Sequence, residues 1–249
     1  GDIPDAPGRA YDSGMRALLL VLPLSVSVAC SFSNAPPRDQ AGGPPDSLTA
    51  AGVRARTERE WSVKSAKMRQ HLLPLMRKHG IDLWVIMSRE NVPDPVLELF
   101  GGLGLTGWYG HRNAYLFADR GVAGPETTVI GTHLSPHLKA FYNAIQPYGQ
   151  EGLKPHLVKY LQARNPKRIA INQSRTISMA DGLTAELKAY LLDALGPAMA
   201  GRVVSSEPLL RDYVSVHTPD EEVIQTEAAL ATYRILQRTF SNEAITSRK

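Results

Sequence analysis

The sequence holds one cysteine, Cys30, among 249 residues, so an intramolecular disulfide framework and a zinc site built on several thiolates are both excluded. No apolar run is long enough to span a bilayer, which excludes a polytopic membrane protein. Charge of one sign is scarce as well. The 28 Lys and Arg against 24 Asp and Glu leave a formal +4, and no longer segment gathers basic residues into a run, so nucleic acid is not an expected partner. Triads can be written down from the available Ser, His and Asp residues, but the G-x-S-x-G spelling of a hydrolase nucleophile elbow does not occur. What remains is an ordinary globular composition, 43% apolar and 21% charged, too apolar for wholesale disorder and too irregular for a collagen-like repeat.

Position 1 is Gly, and the first methionine opens Met15-Arg16-Ala17-Leu18-Leu19-Leu20-Val21-Leu22-Pro23, which continues to Ala29-Cys30. One positive charge, an apolar run of roughly twelve residues and small residues at Ser27 and Ala29 are the three parts of a secretory signal. Cleavage is expected after Ala29. Bacterial lipoprotein signals carry their modified Cys directly after such a run, where Cys30 stands, although Ser27 occupies a position usually aliphatic there. Lipidation of Cys30, giving a membrane tether, and plain secretion are therefore both open. A buried N-terminal helix is a third reading that Pro23 and the β-branched residues suit poorly. Residues 34 to 47 contain four prolines and two glycines with hardly any bulky apolar side chain, the composition of a tether. This divides the chain into an upstream leader (1–14), a signal (15–29), a tether (30–56) and a folded part placed outside the cytoplasm, periplasmic or secreted.

From about residue 57 the pattern turns periodic. Met68, Leu72, Leu75 and Met76 mark one helical face, with Gly80 as its C′ residue and Pro74 expected to bend it. Ile81 to Met87 reads as a strand covered on both faces. Asn113 to Ala118 and Thr127 to Gly131 read as a hairpin. Leu153, Leu157, Tyr160 and Leu161 make a second helix stopped by Asn165-Pro166, and Arg168 to Asn172 is the next strand. Ser178 to Asp181 reads as a capping box for a third helix carrying Leu183, Leu187, Leu191 and Leu195, with Gly196-Pro197 as terminator and Val203 to Ser205 as the last strand. Alternating helices and strands predict an α/β domain over 57–216, its mixed sheet flanked by helices. Thr218 as N-cap, Pro219 at N1 and Glu221 at N3 then start a strong helix whose stripe, Ile224, Ala228, Ala231 and Ile235, has only that domain to pack on. Residues 217–249 are read as the start of a second domain, truncated at Lys249.

Chemistry-bearing patterns are few. Gly102-Leu103-Gly104-Leu105-Thr106-Gly107 fits G-x-G-x-x-G, but no strand precedes it and no helix follows, so a flexible or close-packed glycine loop is the better reading. His133 and His137 have metal-ligand spacing, yet Pro136 lies between them and no further ligand is near. The most suggestive stretch is Trp108-Tyr109-Gly110-His111-Arg112-Asn113, with two aromatics, a titratable imidazole and a fixed cation just before a strand. Arg112 there has the fork to grip a carboxylate, unless the aromatics simply pack over the sheet edge and Arg112 is solvated.

The order of these elements, with Lys78-His-Gly-Ile-Asp-Leu-Trp-Val-Ile at the first strand and the His217 to Ile224 junction, resembles the N-terminal domain of creatinase and Xaa-Pro aminopeptidases over about residues 60 to 245. The resemblance implies a creatinase N-terminal-like fold followed by the first helix of a "pita-bread" catalytic domain. It further implies a homodimeric exported metallopeptidase acting on peptides at an X-Pro bond, or a creatinase-like amidinohydrolase. Two divalent ions, Mn, Co or Zn, are implied in the full-length protein, on two Asp, one His and two Glu downstream of this sequence; no cofactor is implied in the chain itself. By position, Trp108, Tyr109, His111 and Arg112 are candidates for a substrate-restricting rim. From another class, an exported noncatalytic α/β binding module is the alternative.

Overall fold

The computed structural model describes residues 49–89, 92–101, 112–131, 134, 136–147 and 152–241, all within one unit of the chain, Pro44–Lys249. Helix α1, Ala50–Lys67, starts behind Thr49, whose hydroxyl accepts the Gly52 N–H at 3.0 Å. It therefore begins inside the stretch 30–56 expected as tether. Past Pro45 the composition changes to Ala and Arg without proline, and these favour helix.

One π turn, Met68–Leu72, leads into α2, Leu73–Lys78, which has Pro74 in its first turn. An α turn here would set the proline ring against a carbonyl in the preceding turn and leave that acceptor unpaired, so the expected bend is absorbed by the wider turn. The wider turn also keeps residues four apart in line, and Met68, Leu72 and Met76 are all buried. Gly80, at φ +61, closes the helix as expected: its N–H donates to the Arg77 carbonyl and the Ile81 N–H to that of Met76, a Schellman motif.

Six strands follow: β1 Leu83–Arg89, β2 Arg112–Asp119, β3 Pro125–Ile130, β4 Asn143–Ile145, β5 Ile169–Ile171 and β6 Val203–Ser205. Their order across the sheet is β4-β3-β2-β1-β5-β6. The expected hairpin is β2–β3, antiparallel; β1–β2 is antiparallel too, while β1–β5, β5–β6 and β3–β4 are parallel. Strand β1 is buried on both faces. Leu83, Val85 and Met87 pack with Ala114 and Leu116 beneath α4, Leu153–Arg164, and α5, Ala185–Ala200. Trp84 and Ile86 pack with Tyr115 and Phe117 on the opposite side, beneath α1, α2 and α6, Glu207–Ser215. There Trp84, Phe100, Phe117 and Tyr213 join ring to ring with centroids 4.7 to 5.9 Å apart. A short helix, α3, Pro136–Lys139, precedes β4.

The start of the third expected helix is corrected. Ser178–Ala180 forms a single 3-10 turn, and the cap of α5 is Thr184, whose hydroxyl accepts the Leu187 N–H at 3.3 Å. The delay has a cause. The Leu183 N–H donates to the Asn172 carbonyl, and a Cβ on Gly182 would meet the Asp94 carboxyl at 2.4 Å, so residues 182 and 183 are held against the sheet end. Gly196, at φ +66, breaks α5, and Pro197 starts its last turn.

The final helix, α7, Pro219–Thr239, has the full capping box: the Thr218 N–H donates to Glu221 Oε2 at 2.8 Å and the Glu221 N–H to Thr218 Oγ1 at 3.3 Å. Lys67 pairs with Glu221 at 2.8 Å and Arg59 with Glu227 at 3.0 Å, fixing the beginning of α7 to α1. Farther along, Leu230, Tyr233, Ile235, Leu236 and Phe240 are exposed. The molecule is thus α/β, with a mixed six-stranded sheet flanked by helices. Among the described residues no helix is long and apolar enough to cross a membrane.

Candidate binding site at the carboxyl edge of the sheet

Because β1, β3, β4, β5 and β6 run one way and β2 the other, five strands end on the edge where β2 begins. The chain moves outward from β1 through β2, β3 and β4, then returns to the other side of β1 for β5 and β6. The edge beyond the strand ends at such a reversal is where α/β sheets commonly bind ligands.

Arg89, the last residue of β1, and Arg112, the first of β2, are directly paired in the ladder. The pleat places both on the face covered by α4 and α5. Between them stands one carboxylate, Glu186 in the first turn of α5. Its Oε1 accepts a hydrogen bond from Arg112 Nη2, while its Oε2 lies 3.9 Å from Arg89 Nη1. The Arg112 guanidinium also sits 4.6 Å over the Tyr190 ring. All three charged side chains are roughly two-fifths exposed, at 42 to 44%. Burial raises the pKa of the Tyr190 hydroxyl, opposed by the Arg112 charge and by a hydrogen bond from the Lys154 backbone. Lys154 itself is paired with Asp193.

Beneath this edge lies a polar hub. Asn172, just past β5, is buried, and its Oδ1 accepts from Trp84 Nε1 at 2.8 Å and from Ser206 Oγ at 2.6 Å. An indole can only donate, so the amide orientation is fixed and Nδ2 must point the other way. It donates to both oxygens of Asp94, at 3.0 and 2.9 Å, and the Val96 N–H adds a third bond at 3.0 Å. No cationic side chain among the described residues pairs with Asp94, which is fully enclosed. Burial raises its pKa to about 6 against the opposing bonds from Asn172 and Val96, with the Asp181 charge adding to the rise. Asp94 caps the 3-10 turn Pro95–Phe100, so the hub clamps the chain leaving β1 to the ends of β5 and β6. Its enclosure makes it a support for the edge rather than a group a ligand can touch. On the outer flank, Glu207 accepts from Ser174 and Thr176, and these bonds hold its carboxyl below the usual range.

Of the residues expected at a rim, Arg112 belongs to this site, while Trp108, Tyr109 and His111 lie outside the described residues, as do Ala29, Cys30, Gly102 to Gly107 and His133. His137 falls in α3, its side chain not among those described. Among the described residues no group of three or more His, Cys, Asp or Glu is placed to hold a metal ion. Sequence reasoning missed Arg89, because its neighbour is set by strand register, and the Asp94–Asn172 clamp, whose partners lie 78 positions apart. No family model matches the sequence and no curated protein matches it.

Proposed function

We propose that this chain is the N-terminal, substrate-restricting part of an exported metallopeptidase of the creatinase and Xaa-Pro aminopeptidase kind. The observation that carries the reading is α7. Its first turn is capped and tied to Lys67, yet Leu230, Tyr233, Leu236 and Phe240, three and four residues apart, present an uncovered apolar face. A face of that size is normally buried against another element. In this reading a catalytic domain follows and covers it. The two divalent ions, Mn, Co or Zn, belong to that domain. The described residues of this chain do not supply such a ligand set, so no chemical step is assigned to them. The role left to this domain is to narrow access with its carboxyl edge, Arg112 included, in a homodimer acting on short peptides. Export through the Met15 to Ala29 signal, with or without a lipid on Cys30, belongs to the same reading.

The test is to express the sequence together with its downstream coding region and assay cleavage of an Xaa-Pro peptide with Mn²⁺, Co²⁺ and Zn²⁺. Hydrolysis by the extended protein and none by the 249-residue chain is expected. A continuation lacking spaced Asp, Asp, His, Glu and Glu, or no hydrolysis with any of the three ions, overturns the proposal. A noncatalytic exported binding module is the second reading, favoured by the Arg89–Arg112 pair, which needs no further domain to engage a ligand.

A further inference from the structure

We infer that Arg89 and Arg112 form a carboxylate-binding subsite, open at the carboxyl edge of the sheet, that takes the free carboxylate of a peptide. Like charges directly opposite one another destabilise a strand pair, and here two guanidiniums face each other across the β1–β2 ladder. Among the described residues one acid stands between them. Glu186 is hydrogen-bonded to Arg112 and stands at 3.9 Å from Arg89, outside hydrogen-bond reach. Arg89 therefore has a fork not engaged by Glu186, and the three side chains sum to one positive charge that no other carboxylate among the described residues compensates. A second carboxylate bridging Arg89 and the remaining edge of Arg112 would neutralise that charge and satisfy planar donors in their preferred geometry.

The surroundings favour the same ligand. Tyr190 lies under Arg112 and limits where its guanidinium can swing. The neighbouring Lys154 is paired with Asp193, so it does not compete for an incoming anion. Helix α4, which begins on the same side of the sheet as α5 and ends at the opposite edge, where Arg164 meets Glu126, has no acidic residue in its first turn and no side-chain cap, leaving its positive end uncompensated by this chain's described side chains. The charge count selects among anions: a carboxylate brings one negative charge, whereas a phosphate dianion would overcompensate the pair and press against Glu186.

The subsite deepens the peptide reading and rests on it for the carrier of the carboxylate. Its test uses the chain as it is: calorimetric or NMR titration with the tripeptide Ala-Pro-Ala as free acid, with its C-terminal amide, and with inorganic phosphate. The free acid is expected to bind about tenfold or more tightly than the amide, the ratio expected for charge-assisted bonds, and more tightly than phosphate. Arg89→Gln should erase that preference. Arg112→Lys, which keeps the charge but loses the fork, should weaken the acid with little effect on the amide. Equal affinity for acid and amide, no binding of either, stronger binding of phosphate, or an Arg89→Gln chain that keeps the preference each overturns the subsite. Circular dichroism of each variant shows that the fold is retained; should Arg112→Lys unfold, the Arg89→Gln comparison still decides. Absence of hydrolysis by the extended protein would sink the peptidase reading while leaving this binding ratio as measured, so the two failures are distinct.

Discussion

Raising the pH should weaken this protein through Asp94. Its carboxyl is pushed from 3.8 to about 6 in the folded state, with burial as the main cause. Between those values the native state holds a proton that the unfolded chain has released. The contribution is therefore fully present below the unfolded pKa and is lost as pH rises through about 6. A shift of about two units corresponds to about 3 kcal/mol, of which about 2 kcal/mol falls between about pH 4.5 and 7.5. Asp119, Asp212 and Glu207 work in the opposite direction, their pKa values lowered by Arg77, by Lys78 and by Ser174, so the raw pH curve mixes both signs. The reference is Asp94→Asn, which removes only the group in question. Urea unfolding followed by tryptophan fluorescence, run on both proteins across that range, should show the wild type losing about 2 kcal/mol relative to the variant as pH rises. A difference that stays flat within about 0.5 kcal/mol, or that grows in favour of the wild type, refutes the assignment. Should Asp94→Asn fail to fold, carboxyl ¹³C titration of the wild type decides instead: a midpoint near 6 agrees, and one below 4 does not.

Three further outcomes follow from the packing. Gly182→Ala places a methyl within 2.4 Å of the Asp94 carboxyl and should cost about 1–3 kcal/mol in chemical denaturation, with the loss centred on the Asp94–Asn172 clamp. Lys67→Met removes the partner of Glu221 where both are largely buried. It should cost about 2 kcal/mol and raise amide exchange in the first turn of α7. Tyr233→Gln, at a position 58% exposed, should leave the stability of this chain within about 0.5 kcal/mol, yet destabilise the extended protein if a following domain covers α7.

The parts of this fold that the sequence announces are those made by neighbours in the chain. Thr218, Pro219 and Glu221 lie within one turn, and their capping box forms as their spacing predicts. Gly80 and Asn165 likewise stop helices through their own backbone angles. Strand β4 is not legible in the sequence because Asn143-Ala144-Ile145 is too short to show an alternation, and its existence depends on pairing with β3. Helix α6 does carry a sequence signal: Pro208 at its start and Leu209, Leu210 and Tyr213 on one face are a short amphipathic pattern. At the site, Arg112 stood out by type, but its meaning comes from Arg89 across the ladder and Glu186 at a helix start, a meeting fixed only by register. The false capping box at Ser178 shows the same limit, since a contact with Asp94 overrides a local signal.

The strand order also sets a timetable for folding. β1, β2 and β3 are successive antiparallel neighbours in the chain, whereas β5 joins β1 only after a long excursion, and the Asn172–Asp94 bond closes a loop of 78 residues. Closing long loops is entropically slow, so the meander can assemble before the β5–β6 half docks. The clamp then belongs to the late side of the transition state, and Asn172→Ala should hasten unfolding while leaving the refolding rate nearly unchanged. The same amide that props the sheet edge is thus a kinetic lock, governing how long the native state persists more than how quickly it is reached.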